Sequence, residues 1–236
     1  MERRTPIFII ASRRPRVGKT LLARTLAEFL RSEDRPAAAF DCNPGEFALV
    51  DYLPGDTAVA DITETKDQIT LFDQFLAEDR VPKVVDVGHS LFDKFFTVIQ
   101  QIGFVEEARQ RGATPVVLFL ADGDRRSRQG YAVLRDRFAH LPIVPVINEA
   151  LPQAIRFRDD FLGTRTGGAP LTIPALSPVI KGVIERPSFS FAALAVTASD
   201  TTTELYGWTR RVFLEYRELE LRLLLAELRP ALKFSA

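Results

Sequence analysis

The sequence has almost none of the residues that build disulfides or zinc sites. It contains a single cysteine, Cys42, and two histidines, His89 and His140. One cysteine cannot form an intramolecular disulfide, and these residues are too few for a closed zinc site. Any metal chemistry must therefore use oxygen ligands.

The chain also lacks net charge and long apolar segments. Lys plus Arg and Asp plus Glu number 31 each, so no overall field draws the protein to nucleic acid or to a membrane. The longest apolar run near the N-terminus, residues 7–11, is too short for a signal-peptide core or a membrane span. We therefore expect a cytoplasmic protein without membrane insertion.

What the sequence does contain is an alternation of short apolar runs with helical patterns. Its 236 residues, of which 46% are hydrophobic, suffice for one large α/β domain with a substantial core. Six apolar runs are typical of strands buried on both faces: 7–11, 37–41, 83–87, 115–120, 143–148 and 171–176. Helical patterns separate them, at 18–31, near 69–77, at 91–111 and at 125–139. This alternation predicts a doubly wound, mostly parallel sheet flanked by helices.

A long amphipathic helix is predicted over residues 201–228, with Pro230 as its stop. Its apolar stripe includes Leu205, Trp208 and Val212. The mixed charges on the other faces argue against a membrane-surface helix, which is usually rich in Lys and Arg. We expect this helix to pack on its own domain or on a second subunit.

The clearest chemical motif is Gly18-Lys19-Thr20, which follows the first strand and opens a helix. Backbone N–H groups at a helix start point at an anion, and the helix dipole favours the negative charge there. A lysine in this position can reach the β- and γ-phosphates of a nucleotide, and the threonine hydroxyl can ligate Mg²⁺. The triplet therefore predicts that Lys19 and Thr20 hold a nucleotide phosphate. The alternative is an ordinary helix start with Lys19 in solvent.

The front half of this loop departs from the usual phosphate-binding pattern. A glycine is expected five positions before Gly18, where the chain has Arg13. Arg13 and Arg16 lack the freedom of glycine at positive φ, and Pro15 has no N–H to donate. The loop must therefore differ in shape or use guanidinium groups, which bind oxyanions bidentately.

The stretch from Arg14 to Thr20 resembles the loop Lys-Gly-Gly-x-Gly-Lys-Thr of the ParA/MinD group of deviant P-loop ATPases, with Pro15 and Arg16 in place of the two glycines. In that family the first lysine reaches across a dimer to the partner's nucleotide, and Arg14 falls at its position. The resemblance implies a homodimer that binds ATP (or ADP) and Mg²⁺. It implies nucleotide contacts from Arg16, Val17, Gly18, Lys19, Thr20 and Leu21.

Two later segments resemble the switch regions of the same family. Asp41-Cys42-Asn43-Pro44-Gly45 is similar to its Asp-x-Asp-Pro segment, with Asn43 in place of the second acid. An amide cannot act as an anionic partner for water or Mg²⁺, so we expect slow hydrolysis. The apolar run that ends in Asp86 is similar to the strand whose acid holds Mg²⁺ through water. The resemblance thus implies a metal site of Thr20, Asp41 and Asp86, and a catalytic set of Arg14, Lys19, Asp41 and Asn43.

Further positions are suggested at the base of the nucleotide and on the surface. Asn148 and Pro174 fall where the family flanks the adenine. The family also binds DNA nonspecifically through basic surface residues, and Arg125, Arg126 and Arg128 are candidates here. A solvated helix start capped by Asp124 is the favoured interpretation of that cluster.

Three functions remain open from the sequence. The first is an ATP-dependent dimeric switch in partition, positioning or regulation, acting with a protein partner. The second is a pseudo-ATPase that works as a scaffold without turnover. The third is a small-molecule kinase or ligase of the same superfamily, resembling dethiobiotin synthetase, with a substrate pocket near Asp41 and His89. In each case we expect one domain, with a nucleotide-binding core over 1–180 and the C-terminal helix over 200–229.

Overall fold

The computed structural model describes residues 4–43, 45, 48–156 and 169–232. Within them, seven strands form one sheet in the order β3-β2-β4-β1-β5-β6-β7, and every neighbouring pair is parallel. The strands are β1 (Thr5–Ala11), β2 (Ala38–Cys42), β3 (Thr57–Val59), β4 (Lys83–Val87), β5 (Ala113–Ala121), β6 (Ile143–Asn148) and β7 (Leu171–Ile173).

Helices cover both faces of this sheet. They are α1 (Lys19–Ser32), α2 (Ala48–Tyr52), α3 (Thr65–Phe75), α4 (Phe92–Gln101), α5 (Phe104–Gln110), α6 (Arg125–Arg137), α7 (Pro152–Arg156), α8 (Pro178–Ile184), α9 (Phe191–Thr197) and α10 (Glu204–Leu232), with a 3₁₀ turn, η1, at His89–Leu91. One core layer lies under α3 to α6, and the other lies under α1, α9 and α10. The predicted doubly wound α/β architecture with a long C-terminal helix is confirmed.

The central strand β1 explains why the buried strands read as continuous apolar runs. Ile7 and Ile9 point into one core layer, whereas Phe8 and Ile10 point into the other. Because side chains alternate between the faces of a strand, a sheet covered on both sides needs an apolar residue at every position.

The strand order places the ligand-binding edge of the sheet. From β4 the chain crosses over β1 to continue with β5 on the other side. In open α/β sheets, ligands bind beyond the carboxyl ends of the strands at such a reversal. Polar residues that end β2, β4 and β6 therefore converge on the loop that follows β1.

The long helix α10 packs on its own domain, which is one of the two arrangements expected from the sequence. Trp208, Val212 and Tyr216 are buried in the layer that also contains α1. The hydroxyl groups of Tyr216 and Thr25 are hydrogen-bonded at 2.6 Å. None of the described helices is both long and apolar enough to span a bilayer.

Several predicted boundaries were wrong. The helix predicted over 91–111 is divided into α4 and α5 at Gly103, which adopts a φ of 61° and begins the second helix. The predicted strand 171–176 ends at Ile173, directly before Pro174, which has no N–H for a sheet ladder. The helix α10 continues to Leu232 and is not stopped by Pro230. Near a helix end, assignments shift by a residue or two.

Several short elements were absent from the sequence prediction, among them α2 and α7 with five residues each. Strand β3 has only three residues, lies at the edge of the sheet and leaves Val59 half-exposed. Helices α8 and α9 have seven residues each and bury few side chains. Such short elements carry too little hydrophobic periodicity to be recognised.

Candidate functional site

The predicted phosphate loop joins β1 to α1, and its backbone takes two left-handed positions. Gly18, at the N-cap of α1, has a φ of 99°. Arg16 has a φ of 57° although it carries a side chain, which costs about 1 kcal/mol relative to glycine. Arg16 occupies a glycine position of the ParA/MinD loop and adopts the left-handed conformation that glycine favours. The strand, loop and helix predicted around the Gly-Lys-Thr triplet are confirmed.

Asn148 fastens this loop to the end of β6. Its Nδ2 donates to the carbonyl oxygen of Val17 at 3.0 Å, and its Oδ1 accepts from the N–H of Ala150 at 3.0 Å. A Cβ atom at position 18 would lie 2.8 Å from that Nδ2. Gly18 is therefore needed both for its backbone conformation and for the close approach of Asn148.

Thr20 and Asp86 form a polar pair below the loop. The Thr20 hydroxyl donates to Oδ2 of Asp86 at 2.7 Å. The other oxygen, Oδ1, is buried and has no hydrogen-bond partner among the residues that the structure describes. Burial raises the pKa of Asp86 to about 6, while the Thr20 hydrogen bond and the charge of Lys19 oppose the shift. A buried carboxylate oxygen without a hydrogen-bond partner requires a cation or a hydrogen-bond donor to satisfy it.

Asp41 lies beside Asp86, its partner in the register of β2 and β4. Its carboxylate is fully buried and accepts from the backbone N–H groups of Leu49 at 2.8 Å and Asn43 at 3.2 Å. Burial raises the pKa of Asp41 above its usual value, and the backbone bonds act against this. The carboxylate thus holds the start of α2. Its predicted place in the metal site stays a prediction, and Pro44 of this segment lies outside the described residues.

The Thr20 hydroxyl and Asp86 Oδ1 could serve as protein ligands of Mg²⁺, but they are too few to hold a metal ion without other ligands. In the described part of the chain, no group of three or more His, Cys, Asp or Glu side chains could hold a metal ion. Mg²⁺ is commonly bound by one or two protein oxygens, with waters and substrate phosphates as its other ligands. Asp86 Oδ1 and the Thr20 hydroxyl are suited to that arrangement.

A cavity of about 590 Å³ opens beside Thr20, while Asp86 is buried behind this threonine and does not line the cavity. Its lining contains most of the predicted nucleotide contacts: Arg16, Gly18, Lys19, Thr20, Leu21, Asn148 and Pro174. Asn43 of the predicted catalytic set also lines it. His89 also lines it. Val17 is buried beneath the loop and does not line the cavity. The volume lies within the range of small-molecule and cofactor sites.

The far wall of the cavity comes from β7 and α8. Pro174 follows β7, and its carbonyl oxygen accepts from Trp208 Nε1 of α10 at 2.8 Å. Lys181 and Glu185 contribute polar groups to this wall, 3.8 Å apart in an ion pair. Sequence reasoning missed α8 because no motif marks it. It also missed Arg24, which lines the cavity from the inner face of α1.

The first two arginines of the loop turn away from the cavity. Arg14 donates to Asp122 at 3.1 Å, at the end of β5. Arg13 forms an ion pair with Asp93 and lies over the ring of Phe92, 5.3 Å from its centroid. Of the loop's guanidinium groups, only that of Arg16 belongs to the cavity lining.

The basic cluster at the start of α6 lies on a capped, solvent-exposed helix start, which is the interpretation favoured from the sequence. Asp124 caps the helix by accepting from the N–H of Arg126 at 2.7 Å. Arg125, Arg126 and Arg128 are on the surface of this helix, apart from the cavity. The capped, exposed helix start agrees with the favoured interpretation of this cluster.

No family model and no curated protein matches the sequence. Among solved structures, the chain is similar to a candidate plasmid partition protein from Borrelia burgdorferi B31, crystallised with AMPPNP. The two share 12% identity with a TM-score of 0.46, over 91% of this chain and 99% of the other. Similarity at this level says nothing about the activity of this chain, whose proposed function therefore rests on its own residues.

Proposed function

We propose that this protein is a ParA/MinD-like nucleotide-dependent switch that binds Mg²⁺·ATP in the cavity above β1. The observation that carries the proposal is the Thr20–Asp86 pair, in which Thr20 lines the cavity next to Lys19 and Asp86 is hydrogen-bonded behind it. Its buried, unsatisfied Asp86 Oδ1 lies where a P-loop protein binds Mg²⁺. A buried carboxylate oxygen without a partner is costly, and a cation bound there would satisfy it.

The residues around the phosphate end have distinct parts in the proposed binding. Lys19 brings positive charge to the β- and γ-phosphates, and the N–H groups at the start of α1 bind the same oxygens. Asn148 keeps the loop in position through its bond to Val17. Mg²⁺, when bound by Thr20 and Asp86, supplies charge neutralisation at the phosphates.

Slow hydrolysis follows from the groups near the phosphate end. Asn43 lines the cavity but offers an amide where a carboxylate would position water. The neighbouring carboxylate of Asp41 is bonded to backbone N–H groups. We therefore expect a long-lived nucleotide complex, which suits a switch better than a fast enzyme.

Dimerisation is the proposed output of this switch. Arg14 lies at the position of the family's trans-acting lysine, points out of its own cavity, and is partly exposed beside Asp122. From there it can serve a second subunit. Partition, positioning or regulation in the cytoplasm is the process we propose, with a protein partner.

A pseudo-ATPase scaffold is the second candidate. It is favoured by the loop itself, since Pro15 has no N–H to donate and Arg16 takes the place of a glycine in the cavity lining. This reading predicts normal folding and partner binding without nucleotide turnover.

The test is a titration with Mg²⁺·ATP and with a non-hydrolysable analogue, following heat and molar mass together. The switch predicts binding that converts monomer to dimer, and an Arg14→Ala variant that binds nucleotide but stays monomeric. Lys66→Ala, an exposed site on α3, is the matched surface control. Nucleotide binding without any change in molar mass would contradict the dimeric switch.

A further inference from the structure

The far wall of the cavity, formed by β7 and α8, is the base-side wall of the proposed nucleotide site, and α9 follows it in the chain. Ile184 is the buried residue of α8, and α9 buries Phe191 and Ala192. The remaining side chains of both helices are exposed or half-exposed. Because α8 and α9 bury only these three side chains, polar contacts are a second means of holding them in position.

That means is an ion pair on α1, formed by Arg24 and Glu28. The two side chains are only 2% and 1% exposed, with Arg24 Nε and Glu28 Oε1 3.0 Å apart. One guanidinium nitrogen donates to the carbonyl oxygen of Ile184 at 2.5 Å, and another donates to that of Phe189. Glu28 Oε2 accepts from Ser190 Oγ at 2.6 Å and from the N–H of Ala192 at 3.0 Å.

Aromatic rings enclose the same guanidinium group. It lies 4.3 Å from the ring centroid of Tyr52 on α2 and 5.0 Å from that of Phe191 on α9. Arg24 therefore contacts the wall segment, α2 and Glu28 at once. A helix position that needed only packing would be filled better by a hydrophobic side chain, because desolvating an ion pair is expensive.

The position of Arg24 links this pair to the phosphate loop. It lies five residues, or about 1.4 helical turns, after Lys19 on the same helix, and it lines the cavity. The helix α1 thus presents Lys19 and Thr20 to the phosphates at its N-terminal end. Further along the same helix, Arg24 binds the carbonyl oxygens of Ile184 and Phe189.

We propose that Arg24 and Glu28 are positioning residues that fix the base-side wall at a set distance from the phosphate loop. Binding of the nucleoside part of the ligand therefore depends on the Arg24–Glu28 pair. Binding of the phosphates is independent of this pair. The inference rests on the proposed nucleotide site and goes beyond it by assigning a residue pair to the recognition of the nucleoside part.

The test compares two ligands on the same variants, Mg²⁺·ATP and Mg²⁺·tripolyphosphate, which lacks the nucleoside. In Arg24→Met and in Glu28→Gln we expect ATP affinity to fall by roughly tenfold or more. Tripolyphosphate affinity should stay within about twofold of the parent. Arg31→Met is the matched control, because Arg31 is an exposed arginine of the same helix, ion-paired with Asp56. It should change neither affinity.

A second readout follows the wall directly. The amide of Ala192 bonds to Glu28, so its hydrogen exchange should accelerate in Glu28→Gln while amides of β1 keep their protection. Where Arg24→Met does not fold, Arg24→Lys keeps the charge, loses the forked donor, and should show a smaller loss confined to ATP.

The outcomes separate the inference from the function on which it rests. Equal losses for ATP and tripolyphosphate, or unchanged ATP affinity in folded variants, would overturn the positioning role. A parent protein that binds neither ligand would contradict the proposed function itself, and the inference would fall with it.

Discussion

Substituting Gly18 by alanine should destabilise the protein through two separable effects. The backbone φ of 99° is strained for any residue with a Cβ, which costs about 1 kcal/mol. The new Cβ would also lie 2.8 Å from Nδ2 of Asn148, whereas the next atoms are 3.9 Å away. The amide must therefore move and lose its bond to Val17, a further loss of about 1 kcal/mol. The expected total is about 2 kcal/mol.

A double-mutant cycle separates the two effects. In an Asn148→Ala background the obstructing amide is gone, so Gly18→Ala should cost only the backbone strain, about 1 kcal/mol. Urea denaturation of the parent, both single variants and the double variant gives the four free energies of unfolding. We expect a coupling of about 1 kcal/mol between the two sites. Strictly additive changes would refute the contact between Asn148 and the loop.

Three shorter predictions address other parts of the account. Arg16→Gly should raise the free energy of unfolding by about 0.5 kcal/mol, because relief of left-handed strain exceeds the added freedom of the unfolded chain. Thermal melting checks this, and a lower midpoint than in Arg16→Ala would count against it. Asp86→Asn should bind ATP equally with Mg²⁺ and with EDTA, whereas the parent should bind more tightly with Mg²⁺; calorimetry in both buffers decides. Glu215→Ala should cost about 1 kcal/mol in urea denaturation, because its Oε2 accepts from the N–H of Thr172 at the edge strand β7. An unchanged midpoint would mean that water replaces this bond.

The phosphate end of the site was predictable because its signals are local. A buried strand, a Gly-Lys-Thr triplet and a helix follow one another directly, so Lys19 and Thr20 could be placed without knowledge of the rest of the chain. Asp86 could be placed because parallel strands end at the same edge of a sheet.

The directions of the arginine side chains could not be predicted in this way. Arg13, Arg14 and Arg16 are near neighbours in the sequence, yet the first two pair with Asp93 and Asp122, which come from α4 and from the end of β5. Those partners are more than seventy residues away in the chain. Long-range pairing of this kind leaves no periodic trace in a single sequence.

The base-side wall was also beyond sequence reasoning. Its short helices bury few residues, and the pair that holds them is an arginine and a glutamate four positions apart on α1. That spacing is typical of an exposed helix surface. Only the packing of α9 against α1 shows that both side chains are buried.

The central claim is that the loop before α1 binds the phosphates of a nucleotide through Lys19. The most direct test is isothermal titration of Mg²⁺·ATP into the parent, Lys19→Ala and the surface control Lys66→Ala. The account predicts measurable affinity in the parent and in Lys66→Ala, and a loss of at least about a hundredfold in Lys19→Ala. Equal affinity in all three folded proteins would contradict a phosphate site at this loop.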